Sequence, residues 1–343
     1  MQTKLHSMLK LSIIVPVYNV EPYIRPCFES LFNQDLDDNE YEVIIVNDGS
    51  TDKSMGVIAD IISQHNNVTI IDQENQGVSV ARNNGIKIAK GEYIFMPDPD
   101  DMLFEKSVRP LLYEALDAKV DIIVADFIRV FSEGNKQLPS IQQKQFSFRV
   151  KTGNELLLED LNPNECYVWR SLFRKQFLNN YNIRFIPGIR YQDVPFIHEC
   201  YIKAKQCIRA NWYLNIYRVG RPGAATESFN EKKASDFVTV IANTWKLTHI
   251  EGISREAKQK LNNDIFTNFS RFCYLSLYAI KDSKYQVLLL KKLKKEVPDI
   301  FFTNGIKQII HSLLFRLLPN YYFGFLYILN NIKSIIAFKG SNN

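Results

Sequence analysis

Three stretches decide the fold: LSIIVPVYN (residues 11–19), YEVIIVNDGS (41–50) and GEYIFMPDPDD (91–101). Each begins as a short apolar, β-branched or aromatic run and ends in polar turn residues, the pattern of a strand buried on both faces. Working outward, strands are expected at Ser12–Val17, Tyr41–Val46, Val68–Ile71, Tyr93–Met96 and Asp121–Ala125. Between them, helical spacing predicts helices over Tyr23–Asn33, Lys53–Ser63, Ser79–Ala89 and Val108–Ala118, the second capped by Ser50 or Thr51. Alternating strands and helices imply an α/β fold, with a mostly parallel sheet flanked by helices. In such sheets ligands bind beyond the carboxyl ends of the strands, which selects the residues that matter.

Farther along, 131–150 is polar with little periodicity, a loop or hairpin. Gly153–Leu161, Ser171–Asn180 and Gln192–Ala204 read as helices and Trp212–Val219 as a strand. From about residue 230 the pattern is almost wholly helical. Ile306, Ile309, Ile310, Leu313, Leu314 and Leu317 fall on one helix face, with Lys307, Gln308, His311 and Arg316 opposite.

The chain has 343 residues, of which 46% are hydrophobic and 23% charged. That supplies a real core and excludes a disordered or collagen-like chain. The five cysteines fit neither a zinc site nor a redox pair, so buried thiols in a reducing compartment are expected. No secretory pattern opens the chain, and no run of apolar residues is long enough to predict a transmembrane helix. The net charge of +5 is uneven: residues 281–343 carry +7 and the other 280 sum to −2. A basic tail on a near-neutral body points to an anionic surface or to a solvated helix face.

The chemistry gathers at three strand ends. Tyr18 to Glu21 follow the first strand, Asp48 the second, and Asp98-Pro99-Asp100-Asp101 the fourth. In a parallel sheet these ends share one edge, so the carboxylates converge. A divalent cation would neutralise them, and hard oxygen ligands suit Mg2+ or Mn2+. Such an ion keeps positions open for phosphate oxygens, which makes a nucleoside diphosphate the natural guest, with Asp48 facing its base or ribose. A glycine-rich dinucleotide fingerprint and a P-loop are both absent, which argues against a dehydrogenase and a P-loop enzyme. Five scattered histidines argue against a zinc hydrolase.

SIIVPVYNVEPYIRPCFESLFNQ (12–34), VIIVNDGSTD (43–52) and QENQGVSVARNNGIKIAKGEYIFMPDPDD (73–101) together resemble the family 2 glycosyltransferases of the GT-A fold, of the bacterial surface-polysaccharide type. The likeness continues more weakly through VWRSLFRKQFL, RYQDVPF and YRVGRPGAAT. It implies a GT-A catalytic domain over 10–226, with a donor half to about 125 and an acceptor half from about 126, followed by a helical region over 227–343. It also implies an inverting, metal-dependent hexosyl transfer from a UDP-sugar to a hydroxyl of a glycan or lipid-linked acceptor. By position, Pro16, Tyr18 and Glu21 would line the base and ribose pocket. Asp48 would bond the uracil ring, and Arg82 would sit near the nucleotide. Asp98 and Asp100 would form the D-x-D pair, Asp100 on the metal and Asp98 on the ribose or a metal water. Asp101 would orient the loop or the donor sugar. Asp193 would be the general base that takes the acceptor proton. Plainer readings stand beside these: Tyr18 packing on the sheet edge, Arg82 in a surface ion pair, Asp193 as a helix N-terminal acid.

Two positions depart from the family pattern. Gln192 stands where a Glu is usual, and Pro97 and Pro99 bracket Asp98 and stiffen its loop. Neither removes an expected ligand, so an active enzyme is expected ahead of an inactive nucleotide-sugar-binding subunit. A nucleotidyltransferase would want a glycine-rich basic loop after the first strand, which Tyr18–Tyr23 lacks. Trp169 is either a sugar-stacking face or core, and Arg218 or Arg221 would meet a phosphate. Lys291, Lys292, Lys294 and Lys295 precede an amphipathic aromatic stretch, which reads as a membrane-interface helix, a helical cap or a dimer face. The expected location is cytoplasmic, at the inner face of the plasma membrane. No nucleic-acid recognition motif accompanies the basic tail.

Overall fold

The computed structural model describes residues 9–131, 141–221, 230–300, 302 and 305–328. The end of the YRVGRPGAAT stretch, part of the 131–150 segment and the tail beyond 328 lie outside the described residues. The chain divides into two compact units. One comprises Met1–Gly188 with Phe196–Ala224, and the other comprises Ile189–Pro195 with Ala225–Asn343.

The first unit runs β1 (Leu11–Val17), α1 (Glu21–Phe32), β2 (Tyr41–Asn47), α2 (Ser54–Val57), α3 (Ala59–Ile62), β3 (Val68–Asp72), α4 (Val78–Ile88), β4 (Tyr93–Phe95), β5 (Met102–Leu103) and α5 (Val108–Ala118). It continues through β6 (Ile122–Phe131), β7 (Phe148–Lys151), α6 (Gly153–Glu155) with a π-helical turn at Leu156–Asp160, β8 (Ser171–Arg174), α7 (Lys175–Asn180), most of α8 (Asp193–Lys203) and β9 (Cys207–Val219).

The strands form one sheet in the order β3-β2-β1-β4-β8-β6-β9-β5, with β7 on β9. From β3 to β4 the pairing is parallel, as the alternation requires. Beyond β4 the sheet is mixed. β8 runs antiparallel to both β4 and β6, while β6 and β9 run parallel. The expected helix over Ser171–Asn180 is therefore wrong in its first half, where Ser171–Arg174 is a strand buried in mid-sheet. The expected Lys53–Ser63 helix is two short turns broken at Ile58, and neither Ser50 nor Thr51 caps it. Gly56, with its large conformational freedom, sits just before the break.

Two features of β1 position the site. Its order beside β2 on one side and β4 on the other is a topological switch point, the place where ligands of such sheets bind beyond the carboxyl ends. Pairing with β4 stops at Ile13/Phe95, whereas pairing with β2 continues to Val17/Asn47. Pro16, which has no N–H to donate, lies in the stretch where β4 has left. At the other end Gly91 lets the chain cross β1 closely: a Cβ there would lie 2.3 Å from the Leu11 carbonyl carbon.

The second unit holds α9 (Glu231–Leu247), α10 (Arg255–Ala279), α11 (Ser283–Glu296) and α12 (Ile306–Leu317). Asn230, Ser254 and Asp282 cap the first three through their side chains. Phe237, Phe269, Phe272, Leu290 and Tyr322 fill its core. Among the described residues no helix is long and apolar enough to cross a membrane. All five cysteines are buried thiols.

Candidate active site

The loop after β4 carries Asp98, Asp100 and Asp101, and one carboxylate oxygen from each lies within 4.8 Å of the others. Three arginines answer them. Arg82, on α4 and 1% exposed, donates from Nη2 to Asp98 Oδ1 at 2.6 Å, and its guanidinium lies 5.1 Å from the Phe185 ring centre. It is thus a buried partner of the acidic loop, not a surface ion pair. Arg221 Nε donates to Asp100 Oδ2. The main-chain N–H of Arg218 donates to Asp101 Oδ1 at 2.8 Å, and its Nε donates to the Asp100 carbonyl at 3.2 Å. Both guanidinium groups sit over Tyr23 of α1, at 5.5 and 5.2 Å.

Asp101 is 2% exposed, and its Oδ2 is buried with no hydrogen bond from the described residues. Burial, joined by the charges of Asp100 and Asp98, pushes its carboxyl up to about 9. β5 clamps this loop by pairing Met102 and Leu103 with Ile216 and Asn215 of β9, and Ser30 Oγ accepts the Leu103 N–H at 2.9 Å. An orphaned buried carboxylate oxygen beside two further carboxylates is a hard, acidic donor set of the kind a divalent cation completes. The residues present therefore fit Mg2+ or Mn2+.

The opposite wall comes from the ends of β1 and β2. Asp48 is buried, and both its oxygens are engaged. Oδ1 accepts from Gln73 Nε2 at 2.7 Å and the Gln76 N–H at 2.8 Å, and Oδ2 accepts from the Gly77 N–H at 2.9 Å. Asp48 thus shapes the 73–77 loop, with one acceptor direction of about four left for a ligand. Gly49, at φ +73°, allows the approach, since a Cβ there would lie 2.9 Å from Asn75 N.

Asn19, in the left-handed region at φ 48°, accepts the Thr51 N–H at 2.8 Å and so ties the two strand ends together. Glu21 and Asp52 interlock: the Glu21 N–H donates to Asp52 at 3.0 Å, and the Lys53 N–H donates to Glu21 Oε2 at 2.9 Å. Glu21 is therefore occupied in bracing this loop. Pro16 is buried in β1. Tyr18 is 48% exposed.

Trp169 is 1% exposed, stacked on Tyr167 with centroids 4.7 Å apart and edge-on to Phe127. It is core, not a sugar-stacking face. Asp193 opens α8 in the second unit, half-buried, and Gln192 Nε2 donates to its Oδ1 at 3.1 Å. Sequence reasoning left unassigned Tyr23, Gln73 and Gln76, and it missed that Arg218 and Arg221 meet the acidic loop itself. The basic pair in YRVGRPG was the one available signal.

The family model for glycosyl transferase family 2 matches residues 12–181, and this stretch of the chain belongs to that family. The uncharacterized glycosyltransferase EpsJ of Bacillus subtilis is 35% identical over 222 residues, 63% of each chain. A poly(ribitol-phosphate) beta-glucosyltransferase of Bacillus spizizenii is 30% identical over 218 residues, 63% of this chain and 33% of that one. The chain thus spans less than two thirds of the length of these curated relatives. Among solved structures, residues 1–349 of S. aureus TarS in complex with UDP-GlcNAc superpose with a TM-score of 0.72 at 20% identity, over 92% of this chain and 87% of that one. That likeness establishes the GT-A fold.

Proposed function

We propose that the chain is an inverting glycosyltransferase that moves a hexose from a UDP-sugar to a hydroxyl of a glycan or lipid-linked acceptor in surface-polysaccharide synthesis. The observation that carries this reading is the meeting of Asp98, Asp100 and Asp101 at the β1/β4 switch point, across from the Asp48 and Tyr18 wall. A nucleotide with a flat base at one end and a diphosphate at the other matches that division. The two relatives named as glycosyltransferases support sugar transfer, and the UDP-GlcNAc held by TarS supports a UDP-sugar donor.

Asp100, with Asp98 and Asp101, would hold Mn2+ or Mg2+. When bound, the ion supplies Lewis-acid neutralisation of the departing diphosphate. The protein's own residues would do the rest. Tyr18 offers an exposed ring to the base, and Asp48 its remaining acceptor direction. Arg82 and Arg218 fix the acidic loop so that its oxygens need no rearrangement as charge develops. On its motif position, Asp193 would accept the proton of the attacking hydroxyl. A lipid-linked acceptor would place the enzyme at the cytoplasmic face of the membrane.

The experiment is a donor hydrolysis and transfer screen over UDP-sugars, with and without Mn2+, on the full chain and on Asp100→Ala. Metal-stimulated release of UDP, lost in the variant, supports the reading. UDP-dependent stabilisation with no turnover on any donor would instead identify a nucleotide-sugar-binding subunit.

A further inference from the structure

Helix α12 is turned inside out. Its side toward the core carries Ser312 and Phe315, both 1% exposed, and Ser312 Oγ accepts the Phe302 N–H at 2.7 Å. Leu314 packs against the core, and the rest of the helix's apolar stripe faces outward. Ile306 is 79% exposed, Ile310 43%, Leu313 45% and Leu317 71%, and Ile309 lies among them at 37%. Exposed Leu318 and Tyr321 prolong the patch beyond the helix. Residues 306–328 contain no acidic side chain.

Helix α11 supplies a matching charge. Leu289, Leu290 and Leu293 are buried, and the opposite stripe is Lys284, Leu288, Lys291 and Lys295, all exposed. The two helices are joined where Lys294 Nζ donates to the Arg316 carbonyl at 2.8 Å. Lys284, Leu288 and Lys291 share a concavity with Asn320, just past α12. Basic and apolar surfaces therefore adjoin.

We propose that the outer faces of α11 and α12 form a docking surface for an anionic lipid bilayer, with the isoleucine and leucine stripe entering the acyl boundary and the lysines meeting headgroup phosphates. The charge decides the occupant. A second copy would set Lys284, Lys291 and Lys295 against like charge, whereas an anionic membrane satisfies them and removes the apolar stripe from water. The inference stands on the second unit alone and does not depend on the transfer chemistry.

The test is co-sedimentation of the full chain with vesicles of phosphatidylcholine alone and of phosphatidylcholine mixed one-to-one with phosphatidylglycerol. The expected result is binding to the mixed vesicles only, weakened by high salt. Ile309→Asp with Leu313→Asp should weaken it at least about 100-fold. Lys284→Glu with Lys291→Glu and Lys295→Glu should weaken it about 100-fold. These side chains are exposed, so the variants should melt at the wild-type temperature. The proposal is overturned if the wild type fails to pellet with mixed vesicles or if the folded variants pellet as well as it does. It is equally overturned if the Ile309→Asp, Leu313→Asp variant changes oligomeric state on size exclusion while keeping its vesicle binding.

Discussion

The main-chain N–H of Arg218 donates to Asp101 Oδ1 at 2.8 Å across a separation of 117 residues. This bond joins the acidic loop after β4 to the end of β9. It holds one oxygen of a buried carboxyl group, whose other oxygen has no hydrogen bond from the described residues.

Asp101→Asn follows from that geometry. The amide keeps the shape and can still accept from Arg218, and it replaces a carboxyl that burial already holds neutral with a group that cannot ionise for a cation. The ligand-free protein should melt no lower than wild type, whereas its stabilisation by UDP with Mn2+ should vanish. Thermal denaturation with and without the pair of ligands measures both.

Asp193→Asn tests the general base. Turnover should fall by about 10²–10⁴-fold, with UDP affinity within a few-fold of wild type. A parallel loss of UDP affinity would place Asp193 in donor binding instead.

Gly91→Ala tests the close crossing over β1. The new Cβ would fall 2.3 Å from Leu11 C and 2.4 Å from Ser12 N, both backbone atoms that cannot swing away. A loss of about 1–3 kcal/mol is expected, read from the urea midpoint.

Glu40 provides the pH dependence. Burial pushes its carboxyl upward, but hydrogen bonds from Lys10, Tyr113 and the Asp37 N–H outweigh burial and hold it down to about 2. A folded-state value below the unfolded one stabilises fully above the ordinary carboxylate range, and the contribution is lost as pH falls toward 2. Between pH 5 and pH 2 the wild type should therefore lose stability that Glu40→Gln lacks from the start, a difference of up to about 3 kcal/mol. Urea unfolding of both proteins at a series of pH values checks it.

The parallel half of the sheet was legible because its strands are apolar runs closed by turn residues, and Val108–Ala118 was read to the residue. Strand β8 was not. Leu172, Phe173, Phe177 and Leu178 fall at helical spacing, and a four-residue strand with its first three residues buried gives no alternation to contradict it. The gathering of Asp98, Asp100 and Asp101 could be read from adjacency in the chain. The arrival of Arg218 and Arg221 could not, because it depends on β5 pairing with β9. The orientation of α12 was equally hidden: an apolar stripe says which residues share a face, and only Ser312 and Phe315 in the core show which face turned inward.

Asp98, Asp100 and Asp101 are proposed to hold one divalent cation that would neutralise the diphosphate. Anomalous diffraction from a crystal soaked in MnCl2 and UDP tests it most directly. A single manganese peak coordinated by Asp100 and by the diphosphate is expected. A well-ordered UDP with no manganese against these carboxylates would contradict it.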